Sequence, residues 1–366
     1  VILLGLLVLF AIISLSEASE ECLDASEECF NQYIASAESL TKQEKFSEAE
    51  KYYALAFSFN HEVENYMMAV AWANRAWNIK NLGDLENAKR WNHKAIEYFE
   101  DPNLGYKYTQ ELSSLYNNEA LFHRENGNHE KALRSFHDSI DYSFDDAESL
   151  LKDEYEEKDI TILFNTGAEY FRTFQYVEAA RYLDRAINIS IDMGLSNGDI
   201  AKIYALKSEI EYERGKTEEA KSLIKKAKEI AKDITTEDSS LFAEIIRTNA
   251  KYLDSEQAEM NLKRAIDIYL NIFPERNIYR MRGYEKYGDF LNEQGRYLDA
   301  DFNYNKAIEN GLANTGFQND WIVYPRIQAA KAKNFCDMGK IEDGLVLIEK
   351  VINKIEIKFF ESEDSI

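Results

Sequence analysis

Eight times along the chain a small residue opens a short amphipathic stretch, at Ala49, Ala88, Ala132, Ala179, Ala220, Ala258, Ala300 and Gly344. The successive intervals are 39, 44, 47, 41, 38, 42 and 44 residues, a period near 42. A unit of that length cannot bury its own apolar face and must stack against copies of itself. The requirement excludes most globular architectures before any other feature is considered.

The cleanest copy, Tyr284 to Ile308, shows what the unit is. Tyr284, Tyr287, Gly288 and Leu291 recur at three- and four-residue spacing, and Ala300, Tyr304 and Ala307 do so again after Gly295. Each set is the apolar stripe of one helix. Gly295 supplies the left-handed backbone that ends the first helix, while Gly288, Ala300 and Ala307 leave room for two backbones to approach. Gly83, Gly127, Gly215 and Gly339 hold the same turn position in other copies. In the fourth copy Phe174 stands there instead, and the sixth has a shortened turn near Asp254 with no glycine. Only three prolines occur in 366 residues, which favours sustained helix over a sheet punctuated by turns. The expected fold is all-α, a right-handed α-solenoid of about eight helical hairpins spanning residues 20–355.

These positions resemble the tetratricopeptide repeat (TPR), whose signature combines an aromatic, a Leu-Gly pair, a second aromatic, and Ala and aromatic positions in the second helix. Tyr284, Tyr287-Gly288, Leu291, Ala300, Tyr304 and Ala307 occupy those places, and the resemblance covers roughly residues 30 to 355. The period is longer than the common unit of about 34 residues. The chain therefore looks like a long-repeat variant, with helices extended by about a turn. The resemblance implies a scaffold that binds protein or peptide. The carboxylate clamp of chaperone-binding members is not carried over, because Ile34 and Glu38 stand where basic or amide residues would be needed.

In a stacked array the first helices line the concave side. Counting inward positions from the aromatic near each helix start gives Asn74 and Trp77 in the second copy, and Asn117, Leu121 and Arg124 in the third. The fourth gives Phe164, Phe171 and Arg172, and the fifth gives Tyr212. Amides and guanidinium groups bond the backbone or carboxylate of an extended peptide, and rings supply rigid anchors. Packing between neighbouring helices is the other role open to Trp77 and Phe164.

The chain carries 66 acidic against 43 basic residues, a formal charge of −23. That balance argues against nucleic acid and anionic lipid as partners, since both demand a basic footprint. Nine acids between Asp141 and Asp159 face only Lys152 and Lys158. The stretch reads as an extended, solvated helix end, or as a contact for a basic partner or a loosely held divalent cation. No calcium loop with a central glycine is present.

Residues 1 to 15 are apolar apart from Gly5 and Ser14, and Glu17, Glu20 and Glu21 follow. This resembles the apolar region of a secretory signal peptide, with cleavage expected after Ala18 or Ser16; a membrane anchor is the alternative. Cys22, Cys29 and Cys336 form no CxxC pair. On a single helix Cys22 and Cys29 would lie about 10.5 Å apart along the axis, beyond disulfide reach, so unpaired thiols are expected.

Several short motifs are better explained by the repeat. Gly215-Lys216-Thr217 resembles the end of a phosphate loop, but Ile210 stands where that motif needs glycine. His61-Glu62 and His129-Glu130 lack the second histidine of a zinc-protease helix, with Asn65 and Leu133 in its place. His123 and His129 could approach across a turn, though packed or exposed roles are expected for both. Asn188-Ile189-Ser190 fits a glycosylation acceptor inside a helix. No nucleophile setting is recognisable, and neither cofactor nor metal is expected. The sequence therefore predicts an exported, non-catalytic TPR-type scaffold for protein or peptide, with residues 1–18 as signal segment and 356–366 as tail or linker. Membrane contact would come only through an uncleaved N-terminal segment, and self-association is open. The alternatives are the extracytoplasmic sensing segment of a longer signalling or protease chain, or a structural subunit of a surface assembly.

Overall fold

A computed structural model describes residues 27–43, 45–58, 65–82, 84–104, 106–273, 277–312 and 322–363. The signal segment, Cys22, His61 and Gly83 lie outside these. The described residues form sixteen α-helices with three single-turn 3-10 segments and no strand. In pairs they are α1 (Glu27–Lys42) and α2 (Phe46–Phe57), α3 (Asn65–Asn81) and α4 (Leu85–Phe99), α5 (Thr109–Glu125) and α6 (His129–Ser143), then α7 (Glu157–Arg172) and α8 (Tyr176–Asp192). They continue with α9 (Gly198–Glu213) and α10 (Thr217–Ile234), α11 (Ser240–Asn249) and α12 (Ser255–Ile272), α13 (Ile278–Glu293) and α14 (Tyr297–Gly311), and α15 (Val323–Asp337) and α16 (Ile341–Glu363). Every second helix begins close to the small residue that sets the sequence period. Among the described residues no helix is long and apolar enough to cross a membrane.

The hairpin turn is one device used repeatedly. At Gly295 the backbone has φ +73°. The Gly295 amide donates to Asn292 and the Arg296 amide to Leu291, at 3.0 and 2.9 Å, which satisfies carbonyls at the end of α13. The same pair of bonds recurs after α9, where Gly215 donates to Tyr212 and Lys216 to Glu211. It recurs after α7 as well, yet there Phe174 takes the left-handed position at φ +62°. The sixth turn uses other means. Here α11 runs into a 3-10 segment, Ala250–Tyr252, and the Asp254 carboxylate caps α12 by accepting from the Gln257 amide at 2.9 Å.

Two compact units divide the chain, residues 1–122 and 123–366, with the boundary inside α5. In the first, Phe30, Ala56, Met68 and Ala71 form one buried cluster and Ala76, Ile79, Ala88 and Phe122 another. The rings of Phe57 and Trp91 stack at 5.2 Å with the Arg75 guanidinium over both. In the second, a continuous core runs from Ile140 on α6 to Ile245 on α11, and a further cluster joins α12 to α15. Paired helices touch at their small residues. A Cβ added to Gly288 would lie 2.9 Å from the Tyr304 ring, and one added to Gly344 would lie 2.5 Å from Cys336 Sγ and 2.9 Å from the Ala332 carbonyl.

Three expectations need correction. The acidic interval is not an extended helix end: α6 stops at Ser143, α7 starts at Glu157, and the acids between are spent on local structure. Asp146 and Leu151 exchange two backbone bonds at 3.1 Å, and Asp146 also accepts from the amides of Glu148 and Ser149, the Ser149 bond leading in holding its pKa below the usual range. Asp159 is fully buried, bonded to Ser143 Oγ at 2.5 Å, to Lys152 Nζ and to the Glu156 amide, closing a capping box on α7. Cys29 is disulfide-bonded rather than free; the expected separation of about 10.5 Å holds only where one helix runs through both positions. Finally, α16 continues to Glu363, so helix runs through most of the stretch read as a tail.

Candidate functional site

Within each unit the first helices contact one another: α1 touches α3, and in the second unit α7 touches α9, α9 touches α11, and α13 touches α15. Polar side chains join them across roughly one repeat of sequence. In the first unit Asn74 Nδ2 donates to Glu38 Oε1 at 2.6 Å and Thr41 Oγ1 to Asn78 Oδ1 at 3.1 Å. In the second, Thr248 Oγ1 donates to Glu209 Oε1 at 3.0 Å, Ser208 and Tyr252 hydroxyls meet at 2.7 Å, and Asn292 Nδ2 reaches Asn334 Oδ1 at 2.9 Å. Buried polar groups of this kind must be matched one to one, so these contacts fix which hairpin face meets which.

In the first unit, Asn74 is therefore engaged with Glu38, and Trp77 is half-buried with the Lys80 ammonium 4.4 Å from its ring centre. Asn117 is half-buried, and Leu121 is only 6 % exposed, a packing residue rather than a contact surface. In the second unit, Phe164 and Phe171 lean on the main core, the latter 5.8 Å from Tyr176. Arg172 is half-buried. Tyr212 keeps one face toward solvent, packs edge-on to Tyr252 at 5.7 Å and carries the Lys251 ammonium 4.0 Å above its ring. The aromatics proposed as anchors thus largely serve packing. Arg124 is different: its side chain makes no hydrogen bond or ion pair among the described residues.

The same inward offsets on α13 and α15 fall on Glu285, Lys286, Asp289 and Lys333, while Arg282 and Arg326 stand about one turn earlier on their helices. Burial pushes the Arg124 pKa down, Glu169 and Glu125 oppose that, and Arg282 adds a further lowering by like-charge repulsion. Arg282, from the seventh hairpin, also lacks a hydrogen-bonded or ionic partner among the described residues. Other cations here are neutralised. Burial would raise the Glu209 pKa, but Arg247, Lys286 and Lys251 hold it below the usual range. Arg247 is 92 % buried with its Nε unpartnered. Glu285 pairs with Arg326.

The histidines do not gather. His129 is buried with Nδ1 2.5 Å from Glu169 Oε1, and His137 Nε2 lies 2.6 Å from the Tyr170 hydroxyl. Among the described residues no group of His, Cys, Asp or Glu could hold a metal ion. Gly215 is a hairpin turn at φ +80°, not part of a phosphate loop, and Asn188 sits on the exposed side of α8.

Repeated helical hairpins, period-matched contacts between first helices and small residues at each hairpin crossing define a TPR-type helical-repeat fold. The structure is similar to the apo form of RapI, with a TM-score of 0.63 and 16 % identity over 77 % of this chain and 97 % of that one. It is also similar to the apo quorum sensor NprR from B. thuringiensis, with a TM-score of 0.60 and 15 % identity over 97 % and 95 %. NprR in complex with its cognate peptide NprX gives a TM-score of 0.62 and 11 % identity over 90 % of each chain. No family model matches the sequence, and no curated protein matches it.

Proposed function

We propose that this chain is a non-catalytic, exported TPR-type receptor or scaffold whose first-helix layer, within residues 123–366, binds a peptide carrying a free carboxylate. The observation that carries the reading is Arg124 and Arg282, whose guanidinium groups have no hydrogen-bond or ion-pair partner among the described residues of a chain of net charge −23. An anion held by either guanidinium would gain charge-assisted hydrogen bonds. A carboxylate suits the planar fork of arginine, and Tyr212 keeps a partly exposed ring in the same unit. NprR, a structure of similar fold, is known in complex with a peptide, which supports the ligand class. Export rests on the apolar stretch 1–15 and on the Cys29 disulfide, a bond typical of oxidising compartments.

The ligand reading is tested with a random heptapeptide library presented once with free and once with amidated C-termini. The wild-type chain should retain free-acid peptides preferentially, and Arg124→Met/Arg282→Met should lose that preference while keeping its circular dichroism. Equal retention of both libraries by the wild type, or an unchanged preference in the variant, defeats the reading. Export is tested separately by mass spectrometry of the mature N-terminus, which should begin at Ser19 or Glu17.

A further inference from the structure

The second helices carry a pattern that peptide binding on the first-helix layer does not use. Two residues after each small residue, one position recurs in every hairpin and is exposed in all eight. It is occupied by Lys51, Arg90, Arg134 and Arg181 in hairpins one to four and by Ser222 in the fifth. In hairpins six to eight it becomes Met260, Phe302 and Val346, exposed by 63, 61 and 51 %. A solvent-facing helix position has no folding reason to turn apolar in three consecutive repeats. Repeat register sets all three on the same side of their helices. Leu298, one turn before Phe302, Leu345, next to Val346, and Ile341, one turn before Leu345, are also largely exposed and widen the strip. Together the six expose several hundred Å², the scale on which an apolar patch marks a contact surface.

The charge around the strip selects the occupant. Its edge at the helix starts carries Glu256, Asp299, Glu342 and Asp343, and of these only Asp299 has an ion-pair partner among the described residues, Arg296. One turn beyond the strip stand Arg264, Lys306 and Lys350, but the first two are already engaged, with Glu237 and Glu309. The uncompensated charge is therefore acidic. We infer that the exposed faces of α12, α14 and α16 form a docking strip for an amphipathic helix of another protein, one with an apolar stripe bordered by lysine or arginine. Its apolar side chains would cover Met260, Phe302 and Val346, and its cations would meet Glu256, Glu342 and Asp343. A helix laid in an apolar groove is read through a few such anchors, and flanking charge sets its orientation and partner choice.

Two designed helical peptides sharing one Leu/Phe stripe, one with lysine flanks and one with glutamate flanks, provide the test by fluorescence anisotropy against the full chain. The lysine-flanked peptide should bind, the glutamate-flanked peptide should bind at least about tenfold more weakly, and Met260→Gln/Phe302→Gln/Val346→Gln should lose the interaction. All three positions are exposed, so the variant should keep its melting temperature. Arg124→Met/Arg282→Met should bind the peptide as the wild type does, which separates this surface from the proposed carboxylate site. Equal affinity for both peptides, or wild-type affinity in the triple variant, overturns the inference. So does sedimentation showing that the strip is covered by a second copy of the chain.

Discussion

Glu285 on α13 and Arg326 on α15 form a two-point ion pair, Nε to Oε1 at 2.9 Å and Nη2 to Oε2 at 3.0 Å. The carboxylate is buried and the guanidinium remains half exposed. Burial alone would push the Glu285 pKa up, but Arg326 and then Lys286 hold it below the usual carboxylate range. Removing the cation strands a buried charge, so Arg326→Ala should destabilise the chain by about 2–4 kcal/mol. Adding Glu285→Leu should recover most of the loss. Denaturant midpoints of the single and double variants check this, and a double variant no better than the single one would contradict it.

Glu259 on α12 predicts an acid-labile contribution to stability. Its carboxylate accepts from Lys263, Arg296 and Tyr287, each at 2.8 Å, which lowers its pKa to about 2 from 4.5. A group whose pKa is depressed by folding stabilises above its unfolded pKa and loses that contribution as pH falls through its folded pKa. The window here runs from about 4.5 down to about 2. Glu259→Gln should therefore melt lower than the wild type at pH 7, and the gap should narrow at pH 3. A gap of equal size at both pH values would assign the effect to packing instead of charge.

Phe174 occupies a backbone region that glycine fills in other hairpins, and its ring is mostly solvent-exposed. A bulky residue there costs on the order of 1–2 kcal/mol. Phe174→Gly should stabilise the array by about 1 kcal/mol after losing the edge contact to Tyr176, 6.4 Å between ring centres. A lower melting temperature would mean that the ring contributes more than the strain it imposes.

Close approach at the hairpin crossings predicts an ordering of alanine substitutions. At Gly288 the obstacle is the Tyr304 ring, which can shift; at Gly344 it includes the Ala332 carbonyl, which belongs to the backbone. Gly344→Ala should therefore cost more than Gly288→Ala, while Gly288→Leu should cost several kcal/mol, about 3 or more, by overpacking. Calorimetric melting of the three variants gives the order, and an unperturbed Gly288→Leu would contradict the crossing geometry.

The hairpins were legible because glycine at a left-handed turn and alanine at a helix crossing are backbone requirements, which leave a periodic mark. Phe174 shows how strict that mark is: period alone located the turn despite the wrong residue, and the structure gives it φ +62°. The acidic interval is not legible in the sequence because local composition says nothing about caps; only the fold reveals that Asp159 is buried against Ser143 and Lys152. The ligand-facing residues were the hardest. Phe164 and Leu121 occupy inward offsets by count, yet side-chain length and neighbour packing decide whether such a position is open. Arg282 lies about one turn before the inward offsets of the earlier hairpins, and its effect on Arg124 is exerted across three intervening repeats, which no local pattern records.

Cys336 is a partly exposed free thiol whose sulfur lies where a side chain on Gly344 would have to stand. In a stack whose stability is a sum over neighbours, hairpins open locally at different free energies. Separation of α15 from α16 would uncover this sulfur, so its alkylation rate under native conditions is a clock for fraying of the eighth hairpin. The array thus contains its own probe for distinguishing the opening of one hairpin from collapse of the whole.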